Sequence, residues 1–277
     1  MSWTSLFEIT ALVAIAFIAI ILKRITYNQQ IDQIWQNLEI TSANNQTFTE
    51  DLVSSLPDPA RRYFLHSIER GTPLPSSVHL KMRGKFRTGR DATWMPMNAE
   101  ELIAIGKGFI WKATIGSGFF KLIGADYYVN GSTRMQFYLG GILPVVNASN
   151  PDIAKSSIGR LALELIWLPS ALLPQYGVRW EALDEMSLQA SFEIDGEPVK
   201  LRLFVNSDGK VLKVSLARWG DPENSGSSTY IPCGGDVQEE RKFGGFVIPS
   251  KMSGGWWFDT ERYLEFFQST IESAEFH

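Results

Sequence analysis

Arg160 and Glu164 are the side chains best spaced to do chemistry, four residues apart in a strongly apolar stretch. On a helix, positions i and i+4 share one face. A guanidinium beside a carboxylate there is either a solvent-facing ion pair or a polar feature aimed into a cavity, and only the second would bind anything. Trp111, Trp180, Arg218 and Trp257 would supply the flat apolar walls and the second cation of such a pocket. Ligand sites commonly combine apolar lining with a few polar groups. The chemistry in view is therefore recognition of an apolar or amphipathic molecule. That these six residues converge is an expectation; spacing does not establish it.

Patterns for catalysis are missing. The histidines are His66, His79 and His277, and the chain has no Gly-x-Ser-x-Gly, His-Glu-x-x-His, phosphate-loop or Gly-x-Gly-x-x-Gly motif. Glu100-Glu101, Asp184-Glu185 and Glu239-Glu240 are sequence neighbours, which a strand points to opposite faces, and all are expected to be solvated. Carboxylates dispersed in sequence leave a two-carboxylate hydrolase open. The expectation is a non-enzyme that needs no cofactor and no metal. Cys233 is the only cysteine, so an intramolecular disulfide is excluded, and within Ile231-Pro232-Cys233-Gly234-Gly235 it reads as a loop-edge thiol. A net charge of −4 speaks against a general nucleic-acid binder. Lys81, Arg83, Lys85, Arg87 and Arg90 are the best candidate for a basic patch, and they read as a solvated strand face.

What must position these residues is a folded body, since 44% of the 277 residues are hydrophobic and 20% charged. Three parts are expected: an anchor over 1–24, an amphipathic stalk and linker over 25–47, and a single α+β body over 48–277. Leu6–Leu22 is apolar apart from Glu8 and Thr10. At about 1.5 Å per residue it spans roughly 26 Å, close to the hydrocarbon thickness of a bilayer. Trp3 stands where an interfacial aromatic belongs, and Lys23-Arg24 closes the far end. A cleavable leader would carry basic residues ahead of the apolar run, and residues 1–5 have none. We therefore expect an uncleaved single-pass membrane helix. The pair Lys23-Arg24 weakly favours a cytoplasmic body.

Ile31, Ile34, Trp35 and Leu38 then form one apolar helical stripe, expected to extend the anchor, to pack on the body, to lie along the membrane, or to meet a partner membrane protein. Thr41–Thr47 reads as a linker. Short helices are expected over Phe48–Leu56 and Pro59–Glu69, with Asp58 as N-cap and Gly71 as the stop. From about residue 76 the period falls to two. Val78, Leu80, Met82 and Phe86 alternate with polar residues, and Ser187–Trp219 reads as three strands joined at Asp195-Gly196 and Asn206-Ser207-Asp208-Gly209. Further strands are expected at 108–115, 119–123, 126–129, 134–138, 178–183, 236–243, 246–257 and 262–273. One helix, 152–167, interrupts them after Asn150-Pro151 and stops before Pro169. The fold class is thus α+β, mainly antiparallel: a curved meander sheet packed on one or two helices.

Gly159–Pro174, with its Arg-x-Leu-x-x-Glu helix followed by Trp-x-Pro-x-Ala-Leu-Leu-Pro, resembles a bacterial family of unknown function, several of whose members look membrane-anchored. Leu56–Phe64, Phe109-Ile110-Trp111, Gly124–Tyr127, Trp180, Ala217-Arg218 and Phe246–Pro249 extend the resemblance over most of the chain after about residue 48. Its pattern is similar to the lipoprotein-carrier fold, a curved antiparallel sheet around helices that encloses an apolar cavity. That resemblance implies a periplasmic or extracytoplasmic body, opposite to the charge bias; separately, the many large aromatics of the body and its tether at the bilayer would suit a lipid, lipid-linked precursor or lipoprotein as ligand. An accessory or scaffold domain for another envelope protein is the alternative.

Overall fold

In a computed structural model, residues 3–39 and 46–277 are described. Most of the expected linker, residues 41–45, lies outside the described residues. Thr47 already belongs to the body, bridging to Pro73.

Alternation of apolar and polar residues builds thirteen strands: β1 (Ser77–Phe86), β2 (Met95–Ala104), β3 (Gly108–Ile115), β4 (Leu122–Val129), β5 (Ser132–Leu139), β6 (Leu143–Ala148), β7 (Arg179–Ala182), β8 (Ser187–Ile194), β9 (Glu197–Val205), β10 (Val211–Gly220), β11 (Thr229–Phe243), β12 (Phe246–Trp256) and β13 (Leu264–Phe276). Asp195 and Gly196 sit at φ 49° and 81° in the β8–β9 turn, the left-handed pair that a two-residue hairpin needs. All thirteen form one open antiparallel sheet in the order β6-β5-β4-β3-β2-β1-β13-β12-β11-β10-β9-β8-β7. It is two meanders joined where the first strand meets the last, with Val78 opposite Phe276.

Chain continuity forces the sheet to curve. Between the two edge strands β6 and β7 runs α3 (Pro151–Glu164), followed by 3-10 turns at Leu165–Trp167, Pro169–Leu172 and Pro174–Tyr176. This crossing touches β4 and β5 of one meander and β9 and β10 of the other. The sheet must bend around it, a shape that strand twist favours. Asn150 caps α3 by accepting a hydrogen bond from the Ile153 N–H, and Pro151 follows at the first helical position. Gly159 lets α3 settle on β10, because a Cβ there would stand 2.8 Å from Arg218 Cγ. The inner face is filled: Ile158, Leu161, Ala162, Leu165, Ile166 and Trp167 pack among Leu80, Phe109, Leu201 and Val214. α2 (Asp58–Ser67) adds Tyr63 and Phe64 to the same core.

α1 (Trp3–Glu39) is a single helix with two unlike halves. Its first half exposes Phe7, Leu12, Ile15, Ile18 and Leu22, and it is long and apolar enough to cross a membrane, as a leader segment also would be. The second half lies on the outer face of the sheet, where Tyr27, Ile31, Trp35 and Leu38 are buried against Leu102, Ile110, Ala125 and Tyr138, with Ile34 packed beside them. Of the courses expected for this stripe, packing on the body is the one the structure shows, so it is not left open for a partner protein.

Several other expectations need correction. Phe48–Leu56 forms only one 3-10 turn, Glu50–Val53. Pro57 holds the cap position of α2, and Asp58 inside the helix pairs with Arg61 and Arg62 instead. The pieces 119–123 and 126–129 are one strand, β4, preceded by a 3-10 turn at Gly118–Phe120. β2 and β6 had no counterpart in the expected strands. Cys233 sits inside β11, 2% exposed, and burial pushes its thiol pKa up, away from reactivity. Glycines 234 and 235 read as loop formers in isolation, yet here they permit close strand contact: a Cβ on Gly235 would lie 2.0 Å from the Ser253 carbonyl oxygen.

Candidate functional site

Strand register brings the first polar cluster together. Glu101 on β2 lies opposite Trp111 on β3, and Trp111 lies opposite Asp126 on β4. Cross-strand partners share a face, here the inner one. Above them α3 presents Arg160. Its Nη2 donates to Glu101 Oε1 at 3.0 Å, its Nη1 to Asp126 Oδ2 at 2.8 Å, and its Nε to Glu164 Oε1 at 2.7 Å. The guanidinium carbon is 4.6 Å from the Phe109 ring centroid and 4.9 Å from that of Trp111, cation–π distances that favour a desolvated cation. The Arg160–Glu164 pair is thus the inward-facing kind, with side-chain exposures of 15% and 13%.

Three carboxylates around one guanidinium leave an excess of negative charge away from water. Burial, followed by the Glu164 charge, pushes the Glu101 carboxyl well above the usual range, and Arg160 opposes this without cancelling it. Burial likewise works against the Arg160 charge, but Glu164, Glu101 and Asp126 together outweigh it and hold the guanidinium protonated. Glu101 Oε2, Asp126 Oδ1, Glu164 Oε2 and Trp111 Nε1 are buried without a hydrogen-bond partner among the described residues. A proton on Glu101 gives one of these oxygens a hydrogen to donate, and Glu164 is near enough to act as acceptor. Carboxylates bound to a guanidinium are not free for general acid–base work. The arrangement clasps α3 to β2 and β4. Among the described residues no group of three or more His, Cys, Asp or Glu side chains is arranged to hold a metal.

The upward push on the Glu101 carboxyl carries a pH signature. The raised pKa means that the folded state holds a proton which the unfolded state releases. The associated stability is complete below the ordinary Glu pKa of about 4.3 and is lost as pH rises through the folded value. Glu101→Gln, which keeps the shape of the neutral acid, is expected to flatten that decline in urea midpoints between about pH 4 and 8. Equal slopes in the two proteins would mean that Glu101 is ionised when folded.

Of the six residues expected to form a site, Trp111, Arg160 and Glu164 meet. Arg218 approaches α3 from β10, its Nε donating to the Ser156 carbonyl at 3.0 Å while its guanidinium lies 4.9 Å over Trp256. Trp180 packs edge-on to Phe64 at 5.6 Å and donates to the Leu172 carbonyl at 3.0 Å. Trp257 occupies the β12–β13 turn at φ 52°, covered by Arg262. Glu101 and Asp126 were missed. Glu101 belongs to a pair expected to be solvated, yet it is fully buried, whereas Glu100 points outward to His79 at 3.2 Å. Glu240, from another such pair, is also largely buried, 2.8 Å from His66.

A second feature lies on the outer face, where α1 leaves the sheet. A groove of about 610 Å³ runs between Arg24, Tyr27 and Ile31 of α1 and the strand residues Lys81, Thr114 and Ile123, a volume ordinary for small-molecule sites. The Tyr27 hydroxyl fixes the helix here, accepting from the Ala125 N–H at 3.0 Å and donating to the Gln136 carbonyl at 3.1 Å. Arg24 lies 4.2 Å over the Tyr138 ring, and its Nη1 is buried without a partner among the described residues. Asp32, Glu100 and Glu272 also border the groove, and they face Lys112, His79 and Arg83 respectively.

Residues 54–276 match the family described as "Family of unknown function (DUF6920)". No curated protein matches the chain. Among solved structures, the chain is similar to a DUF1329 family protein from Desulfovibrio piger, at 11% identity over 79% of this chain and 90% of that one, with a TM-score of 0.43. It is also similar to a LolA superfamily protein from Nitrosomonas europaea, at 11% identity over 79% and 92%, with a TM-score of 0.41. An outer membrane lipoprotein-sorting protein domain from Vibrio parahaemolyticus aligns at 9% identity over 73% and 86%, with a TM-score of 0.34.

Proposed function

Because the chain belongs to DUF6920, a family of unknown function, we propose a role from its geometry: a membrane-tethered binding protein that holds an amphipathic lipid in the groove between α1 and the outer face of the sheet. The observation that carries this reading is position. Arg24 both closes the apolar run of α1 and forms one wall of the groove, so the groove starts where the lipid headgroups would be. A buried guanidinium nitrogen without an acceptor among the described residues suits an anionic headgroup, and Lys81 adds charge nearby. Ile31 and Ile123 offer apolar wall to the chains.

The anchor is part of the same proposal. The apolar run and the buried stripe are one unbroken helix, which favours a retained span over a removed leader. Exposed apolar surface of this extent marks a membrane or partner contact. A lipid between α3 and the sheet would have to displace packed core, including Trp167 at 2% exposure, so the outer groove is the better location. The scaffold alternative loses its contact, since Ile31, Trp35 and Leu38 are buried.

Native mass spectrometry of the full chain, purified from membranes in mild detergent, tests the proposal. Wild-type protein is expected to carry bound phospholipid, and Thr114→Trp, which fills the groove from β3, is expected to release it. Lipid-free wild type, or equal lipid in the filled variant, would sink the reading.

A further inference from the structure

We infer that the body also rests on the bilayer directly, through the tips of its β3–β4 and β5–β6 hairpins. Phe119 and Phe120, in the turn Gly118–Phe120, are 92% and 80% exposed. Beside them Ile142, Leu143 and Val145 are 46%, 54% and 48% exposed. The two tips are one surface, because the Gly140 N–H donates to the Lys121 carbonyl at 2.8 Å. Gly116, Gly118, Gly140 and Gly141 take left-handed φ values, so the backbone turns that lift these side chains outward are built in. Solvent-facing turns ordinarily carry polar residues; five large apolar side chains at one end of a sheet call for an apolar neighbour.

The course of α1 identifies that neighbour as lipid. The end of α1 farthest from its apolar run lies by the β2–β3 turn, where Lys107 Nζ donates to the Asn37 carbonyl at 3.4 Å. Toward its apolar run, Tyr27 reaches Ala125 and Arg24 reaches Tyr138. The helix therefore climbs along β3 and β4 toward the Phe119–Phe120 tip, and its exposed apolar half projects past that same end. Strands rise about 3.3 Å per residue and helices about 1.5 Å, so the tip is level with roughly the first two turns beyond Arg24. Lys121 directly follows the tip, and Arg24, over Tyr138 beside Ile123, stands about 10 Å behind it. Apolar tips with cations behind them are the pattern of an interfacial contact. Such seating would hold the mouth of the groove at headgroup depth.

This inference rests on the reading of α1 as a membrane anchor, and one experiment separates the two. The full chain, with Cys233→Ser so that a single thiol is labelled, is reconstituted into vesicles of equal parts phosphatidylcholine and phosphatidylglycerol. An environment-sensitive fluorophore is placed in turn at Phe119→Cys, Leu143→Cys, Ile18→Cys and Ser132→Cys, the last at the start of β5, beside the β4–β5 turn at the opposite end. Should Cys233→Ser not fold, the native background serves, because Cys233 is 2% exposed. The Phe119 and Leu143 labels are expected to lose emission to lipid-borne nitroxide as the Ile18 label does, while the Ser132 label is lost only to iodide. Quenching by lipid at Ile18 with iodide quenching at both tips overturns the inference and leaves the anchor standing. Lipid quenching at the tips but not at Ile18 upholds the inference and removes the anchor. Lipid quenching at neither removes both.

Discussion

Arg160→Met is expected to destabilise the folded body by about 3–5 kcal/mol, the range for removing one partner from a buried charge cluster. The methionine replaces the stem but leaves Glu101, Asp126 and Glu164 facing each other at side-chain exposures of 0%, 12% and 13%. Two of the three would have to take up protons or draw in water. Arg160→Lys is expected to recover little, because a compact ammonium, its donors all on one nitrogen, cannot span three carboxylates spread over β2, β4 and α3 as the planar guanidinium fork does. Adding Glu164→Gln to Arg160→Met should return part of the loss, since it removes one of the stranded carboxylates. Urea midpoints of the four proteins measure this, with an unchanged m-value showing that the same surface unfolds. Near wild-type stability in Arg160→Met would mean that the cluster is hydrated and that the clasp does not exist.

The second large effect concerns α1. Trp35→Ala is expected to weaken the seating of the helix by about 3–5 kcal/mol and Leu38→Ala by about 2–5 kcal/mol. Trp35 is 8% exposed, edge-on to His79 at 5.0 Å and capped by Lys112 Nζ at 4.2 Å, and Leu38 is 1% exposed. Their cluster lies on the outer face, separate from the main core, so the sheet should stay folded while residues 27–38 come away. Hydrogen exchange should then rise sharply over that segment and little elsewhere. Because α1 forms one wall of the groove, bound lipid should fall together with the protection. Slow exchange over 27–38 in both variants would show that something other than this packing seats the helix.

Both effects depend on contacts that sequence patterning discloses unevenly. The β-rich body, the α3 helix with its Asn150-Pro151 start, the β8–β10 meander and the apolar half of α1 were legible, because each rests on periodicity or turn chemistry within a few neighbouring residues. β2 was overlooked, and Glu101 with it. Met95-Pro96-Met97-Asn98 opens that strand weakly, and the Glu100-Glu101 pair looks solvated when read alone. The clue was parity: Glu101 shares the face of Ala99 and Ile103, both core residues, while Glu100 shares the face of Asn98. The Arg160–Glu164 spacing was visible, but its inward aim was not, since helical spacing is the same for a buried pair and a solvated one.

By itself, then, the sequence determined the β-rich character of the body, the helix that interrupts it and the apolar helix ahead of it, because side-chain alternation and backbone preference act locally. Only the tertiary structure decided which acids meet Arg160, since Glu101 lies 59 residues away and is delivered by register across three strands. It alone decided that the stripe of α1 belongs to the chain's own sheet, and that Phe119 and Phe120 stand at the end from which the apolar helix departs. An apolar side chain favours burial without naming its partner; the partner is chosen by the way the strands twist, pair and close around the crossing helix.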